Sequence, residues 1–166
     1  MNIRSQIPVL ALFTAWFAVA QAEDLGPLGL SIMLGDSNRL ESSLAKASQE
    51  QKEQAVIAAI RNYVDPMYSI GGSKNGYVDI IRLLLEDGAD PNAWRLQGYE
   101  APKKTTVDGA PGISMVSRSS RALLPEIVKA DAEGTTALRL ALDFANDDKD
   151  HPLVKLLLEH GATDEP

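Results

Sequence analysis

Apolar residues recur at helical spacing through Asn75–Ala93, read NGYVDIIRLLLEDGADPNA, with Ile80, Ile81, Leu83, Leu84 and Leu85 in the run. They are too many for one narrow stripe, so the pattern predicts a helix buried on more than one side. The run stops at Gly88 and enters a polar turn, Ala89-Asp90-Pro91-Asn92. The same pattern returns as His151–Thr163, HPLVKLLLEHGAT. A shift of 73 residues carries Ile80 to Leu153, Leu83–Leu85 to Leu156–Leu158 and Gly88-Ala89 to Gly161-Ala162. Both glycines fall where a helix needs a left-handed residue past its last turn. Helices of this kind are not stable alone and need stacked neighbours.

The remaining periodicity predicts further helices. Leu28, Leu30, Ile32, Met33 and Leu34 give an apolar helix broken at Gly35-Asp36, and Leu40 and Leu44 lie four apart on a second one. Gln49–Val64 carries Ala55, Val56, Ala59, Ile60 and Tyr63 on one face. Asp65-Pro66 reads as the capped start of a short helix over Met67–Ser73, followed by a turn at Asn75-Gly76. Pro91–Pro111 is rich in Pro, Gly and polar residues and reads as a loop. Gly112–Ser120 and Leu123–Ala130 give a weak third helix pair, with Pro125 near the start of its second helix. Asp131–Thr163 is the last pair, with Gly134-Thr135-Thr136 as turn and cap and Ala145–Asp150 lengthening the turn between its helices.

The two repeated blocks resemble ankyrin repeats. Leu83–Asp90 and Leu156–Ala162 match the end of that family's second helix, and Thr136-Ala137-Leu138-Arg139 resembles its first-helix cap. The resemblance implies an all-α ankyrin-repeat solenoid of about four helix-pair repeats with irregular insertions, the outer repeats being degraded to cap the stack. It also implies protein recognition rather than catalysis, with no cofactor.

Arg4, the apolar run Val9–Ala20 and the A-x-A pattern at Ala20-Gln21-Ala22 form a secretory leader signature over residues 1–22, leaving 23–166 as the repeat domain. The expected destination is the periplasm. No second long apolar segment follows, so no membrane insertion is expected after cleavage. The chain has no cysteine, so packing alone must hold it. Its net charge of −7 becomes −8 once Arg4 is lost. No basic patch is present, which disfavours nucleic acid and anionic membranes as partners.

Catalytic and metal patterns fail on spacing. Gly112-Ile113-Ser114 lacks the second glycine and preceding strand of a nucleophile elbow. Asn146, Asp148 and Asp150 alternate like a calcium loop, but His151 and Leu157 occupy its glycine and glutamate positions. Gly71-Gly72-Ser73-Lys74 lacks phosphate-loop spacing. His151 reads as a surface or capping residue, and His160 as a helix-end residue.

A binding surface remains. Trp94, Arg95 and Tyr99 are of the types enriched among interface anchors and crowd into one irregular stretch. The expected anchor is therefore an exposed Trp94 loop, whose loss weakens binding and spares stability. A concave face around Met115, Arg118, Arg139 and Asp143, with the acidic loop at Asp147 and Asp148, is the other expected surface. The chain resembles periplasmic immunity proteins that occlude a toxic effector, such as a secreted phospholipase. The alternative is an accessory ankyrin protein supporting a periplasmic enzyme such as a catalase. Either way a monomer binding one protein partner is expected. Intact-mass measurement of the exported chain should show loss of Met1–Ala22; retention of those residues contradicts the leader.

Overall fold

The computed structural model describes residues 25–65, 72–99 and 126–164, in two compact units that divide between Ala89 and Asp90. In the first unit a 3-10 turn over Gly26–Leu28 runs into α1 (Gly29–Leu34), followed by α2 (Ser37–Leu44), α3 (Gln49–Val64) and α4 (Lys74–Glu86). Each start has a side-chain cap where the sequence supplies one. Asp36 accepts from the Arg39 N–H at 3.1 Å. Ser48 and Gln51 form a reciprocal capping box at the head of α3, which separates it from α2. Ser73 Oγ accepts from the Gly76 N–H at 3.0 Å. The turn expected at Asn75-Gly76 is therefore the first turn of α4, because Ser73 captures that amide and starts the helix early. A Cβ at Gly76 would stand 2.3 Å from the Gly35 carbonyl oxygen, so glycine permits backbone to pass backbone there.

The core of this unit lies between α3 and its neighbours. Ala55 through Tyr63 are all buried, including Arg61 and Asn62. Small alanines let α3 pack against both α1 and α4. Asn62 Nδ2 donates to the Ile32 carbonyl at 3.4 Å, and the Tyr77 hydroxyl donates to that of Met33 at 3.1 Å. From α4, Tyr77, Ile80, Ile81, Leu84 and Leu85 are buried, while Leu83 is half-buried.

In the second unit the described chain runs β1 (Trp94–Gln97), β2 (Glu126–Lys129), α5 (Ala137–Ala145) and α6 (Pro152–Glu159). The strands pair antiparallel, Trp94 with Lys129 and Gln97 with Glu126. On its other edge Leu96 exchanges both backbone hydrogen bonds with Thr135, at 2.9 and 3.0 Å. Thr136 caps α5 by accepting from the Arg139 N–H, as its sequence position predicts. His151 caps α6 through Nδ1, which accepts from the Leu153 N–H at 3.3 Å. Leu96, Leu140, Ala141, Leu153, Val154 and Leu157 make the core.

The repeated helix ends behave alike. Gly88 and Gly161 both have positive φ, +89° and +79°. At each, the next residue reaches back across the turn: Ala89 N–H to Leu84 O at 3.1 Å and Ala162 N–H to Leu157 O at 2.9 Å. These are Schellman closures, and they explain why the sequence echo is strongest at this point.

The all-α expectation holds in part: the described residues are mostly helical, with a short two-stranded ribbon added. Residues 94–97, read as loop, and 126–129, read as part of a helix after Pro125, are strands. The β-branched pair Ile127-Val128 suits a pleated ribbon, and cross-strand pairing with β1 overrides the weak helical pattern. The described residues are mostly helical, with six α-helices and one two-stranded ribbon, and do not lay out four helix pairs. Gly112–Ser120, and most of the helix expected over Met67–Ser73, lie outside the described residues; Gly72 and Ser73 are not helical.

Leu84 and Leu157 are both fully buried, so Leu84→Ala and Leu157→Ala should each cost about 2–5 kcal/mol in chemical denaturation. Tyr63 supplies a pH test. Burial pushes its phenol above the ordinary value, so the folded chain holds the proton more tightly than the unfolded one. Stability should be fully present below about pH 10 and fall as pH rises through the raised value, with Tyr63→Phe removing that part of the loss.

Candidate functional site

Strand geometry separates the residues expected to act together around Trp94. Successive side chains in a strand point to opposite faces. Trp94 and Leu96 share the inner face and are 7% and 1% exposed. Lys129, the cross-strand partner of Trp94, places Nζ 5.6 Å from the indole centroid. Arg95 lies on the opposite face, paired across the ribbon with Val128. It is half-buried, and its Nε has no hydrogen-bond partner among the described residues. Tyr99 follows the strand and is half-buried. The expected exposed loop with Trp94 as its tip is thus corrected: the indole is core, because its strand closes over α5. Met115 and Arg118 lie outside the described residues.

The second expected group does come together. Arg139 lies one helical turn before Asp143 on α5, and its Nε donates to Asp143 Oδ1 at 2.8 Å while Nη2 donates to the same oxygen. The helix then ends on two consecutive left-handed residues, Asn146 and Asp147. That reversal brings Asp147 Oδ1 to 3.2 Å from Arg139 Nη2. Asp164 Oδ2 completes the group, 3.6 Å from Nη1. Hydrogen bonding to Asp143 raises the Arg139 pKa above its ordinary value; burial opposes it, and the charges of Asp143, Asp147 and Asp164 add to the rise.

One guanidinium facing three carboxylates leaves a negative surface. Asp147 is exposed, and the Arg139 side chain retains 41% of its accessible area. At that exposure the pairs contribute on the order of 1 kcal/mol or less each, so the cluster orders the surface more than it stabilises the fold. Asp148, grouped with these residues by sequence, acts on the backbone instead. Its Oδ1 accepts from the Asp150 N–H at 2.9 Å and shapes the turn. Asp150 in turn pairs with Lys155 at 3.0 Å. Sequence reasoning missed Asp164, because no local pattern links it to Arg139.

Asn92 ties this face together from the other end of the unit. Its Nδ2 donates to the Gly161 carbonyl at 3.0 Å, and its Oδ1 accepts from the Thr163 N–H at 2.8 Å. That grip holds the segment leading to Asp164. Among the described residues, no group of three or more His, Cys, Asp or Glu could hold a metal ion, and no helix is long and apolar enough to cross a membrane.

Residues 67–95 match the family model of the Ankyrin repeat. The matched stretch contains all of α4, its glycine closure and the first residues of β1. No curated protein and no solved structure matches the chain. Ankyrin repeats serve as protein-interaction modules, and the matched repeat supports that role for this chain.

Trp94→Ala should now act on folding. Truncating a buried aromatic costs about 3–5 kcal/mol, so chemical denaturation should show a loss of that size. A loss under about 0.5 kcal/mol would contradict the burial.

Proposed function

We propose that this chain is an exported protein-binding module that works by occluding a partner, as an immunity protein does against a toxic effector such as a secreted phospholipase. The observation that carries the reading is the ankyrin repeat over residues 67–95. The leader signature over residues 1–22 favours action outside the cytoplasm. The acidic character of the chain favours a partner with a basic rim.

The proposed contact surface is the ordered acidic face of Arg139, Asp143 and Asp147, with Asp148 beside it. Its carboxylates are pre-positioned by the α5 turn, so binding loses little side-chain entropy. Trp94 supports this face indirectly, by holding the hairpin against α5.

The test begins with a pull-down by residues 23–166 from periplasmic extract, followed by titration of the captured protein. The double reversal Asp147→Lys and Asp148→Lys should weaken binding tenfold or more, about 1.4 kcal/mol, and flatten its salt dependence. The melting temperature should fall only modestly, through loss of the Asp148 turn bond and the exposed Asp147–Arg139 pair. Unchanged affinity would remove this face from the interface. Failure to capture any protein, or capture without loss of the partner's activity, would remove occlusion as the mode of action.

A further inference from the structure

Helix α4 ends on an aspartyl-glycyl bond, Asp87-Gly88. Such a bond is chemically the weak kind, because glycine has no side chain to hinder its amide nitrogen from attacking the preceding carboxyl carbon. We propose that Asp87-Gly88 is a site of spontaneous isoaspartate formation, held closed by the first turn of α3.

The reaction defines what must be blocked. The Gly88 amide nitrogen attacks Cγ of the protonated Asp87 carboxyl, the new C–N bond forms, and the carboxyl hydroxyl leaves as water. The resulting succinimide takes up one water at either carbonyl. Opening at the α-carbonyl leaves the chain running through the β-carboxyl, with no change in mass.

Contacts at the site oppose each requirement. Lys52 Nζ lies 2.6 Å from Asp87 Oδ2, and that ion pair ties the carboxyl to α3 so that Cγ is not free to turn onto the Gly88 nitrogen. The Gly88 N–H donates to the Leu85 carbonyl at 3.1 Å, which holds the attacking nitrogen in the helix closure. Gln49 Nε2 donates to the Gly88 carbonyl at 2.8 Å and resists rotation of that peptide. Lys52 and Gln49 are one turn apart on α3, so a single helical turn guards both sides of the bond. Steric cover contributes nothing, since a Cβ built on Gly88 would meet no atom within 4 Å.

Damage here would act on a sensitive point. An extra backbone atom before Gly88 would break the register of both closure bonds, to Leu85 and Leu84, at the end of a helix whose Leu84 and Leu85 are buried. The repeated copy escapes the chemistry, because His160 stands where Asp87 does and has no carboxyl to attack.

The test is an ageing experiment on the full chain at neutral pH and physiological temperature. Isoaspartate would be measured by isoaspartyl methyltransferase labelling and mapped by peptide fragmentation. Lys52→Met should raise the rate at Asp87 several-fold, Lys52→Arg should restore the slow rate, and Asp87→Glu should abolish the label at that peptide. Asn75-Gly76, at the other end of α4, reports general loosening through deamidation. A rise at Asp87 with Asn75 unchanged supports the guard. An equal rise at both, or an unchanged rate in Lys52→Met, overturns it. Absence of isoaspartate at Asp87 from the parent and from Lys52→Met alike overturns the site. Gln49→Ala repeats the comparison without altering charge, should Lys52→Met fail to fold.

Discussion

A helix that stops must hand its last carbonyls to other donors, and this chain depends on one way of doing so. Both strongest helices close on a left-handed glycine whose own carbonyl is then gripped by a side-chain amide, Gln49 at Gly88 and Asn92 at Gly161. The closure turns the chain sharply, and the amide fixes where the turn goes. Without it neither the Lys52–Asp87 pair nor the placement of Asp164 beside Arg139 would follow. Two units of different content thus use the same terminal chemistry.

Helix content was legible where the period was strong. The extent of α3 from Gln49 to Val64 was readable because its apolar face, Ala55 to Tyr63, is long. The echo between α4 and α6 was readable because glycine closures have a fixed sequence form. The hairpin was not readable. Its strands are four residues each and 28 residues separate them, so no turn signal joins them in sequence. What makes 94–97 and 126–129 strands is their pairing, together with the Leu96–Thr135 bridge, and pairing is invisible to a local window.

The candidate site divides the same way. Arg139 and Asp143 are one helical turn apart, so their meeting could be read from spacing. Asp147 required two successive left-handed residues, neither of them glycine, and that conformation is rare enough that sequence gives little warning. Trp94 misled because residue type was taken for exposure. The period of two along β1 puts it on the inner face and Arg95 on the outer, a distinction that depends on knowing the stretch is a strand.

The pairing of Gln97 with Glu126 has a bearing on how such a chain can change over generations. Those two residues form a neck: whatever connects them begins and ends at one place, and the ribbon below is held by β1, β2 and Thr135. Lengthening a connection across a fixed neck is thermodynamically mild, about 0.6 kcal/mol for each doubling. The ribbon's register is therefore set by its own cross-strand pairs and by Thr135, not by the length of what joins the strands. A lineage that changed that length would keep the same four residue pairs and the same Thr135 bridge.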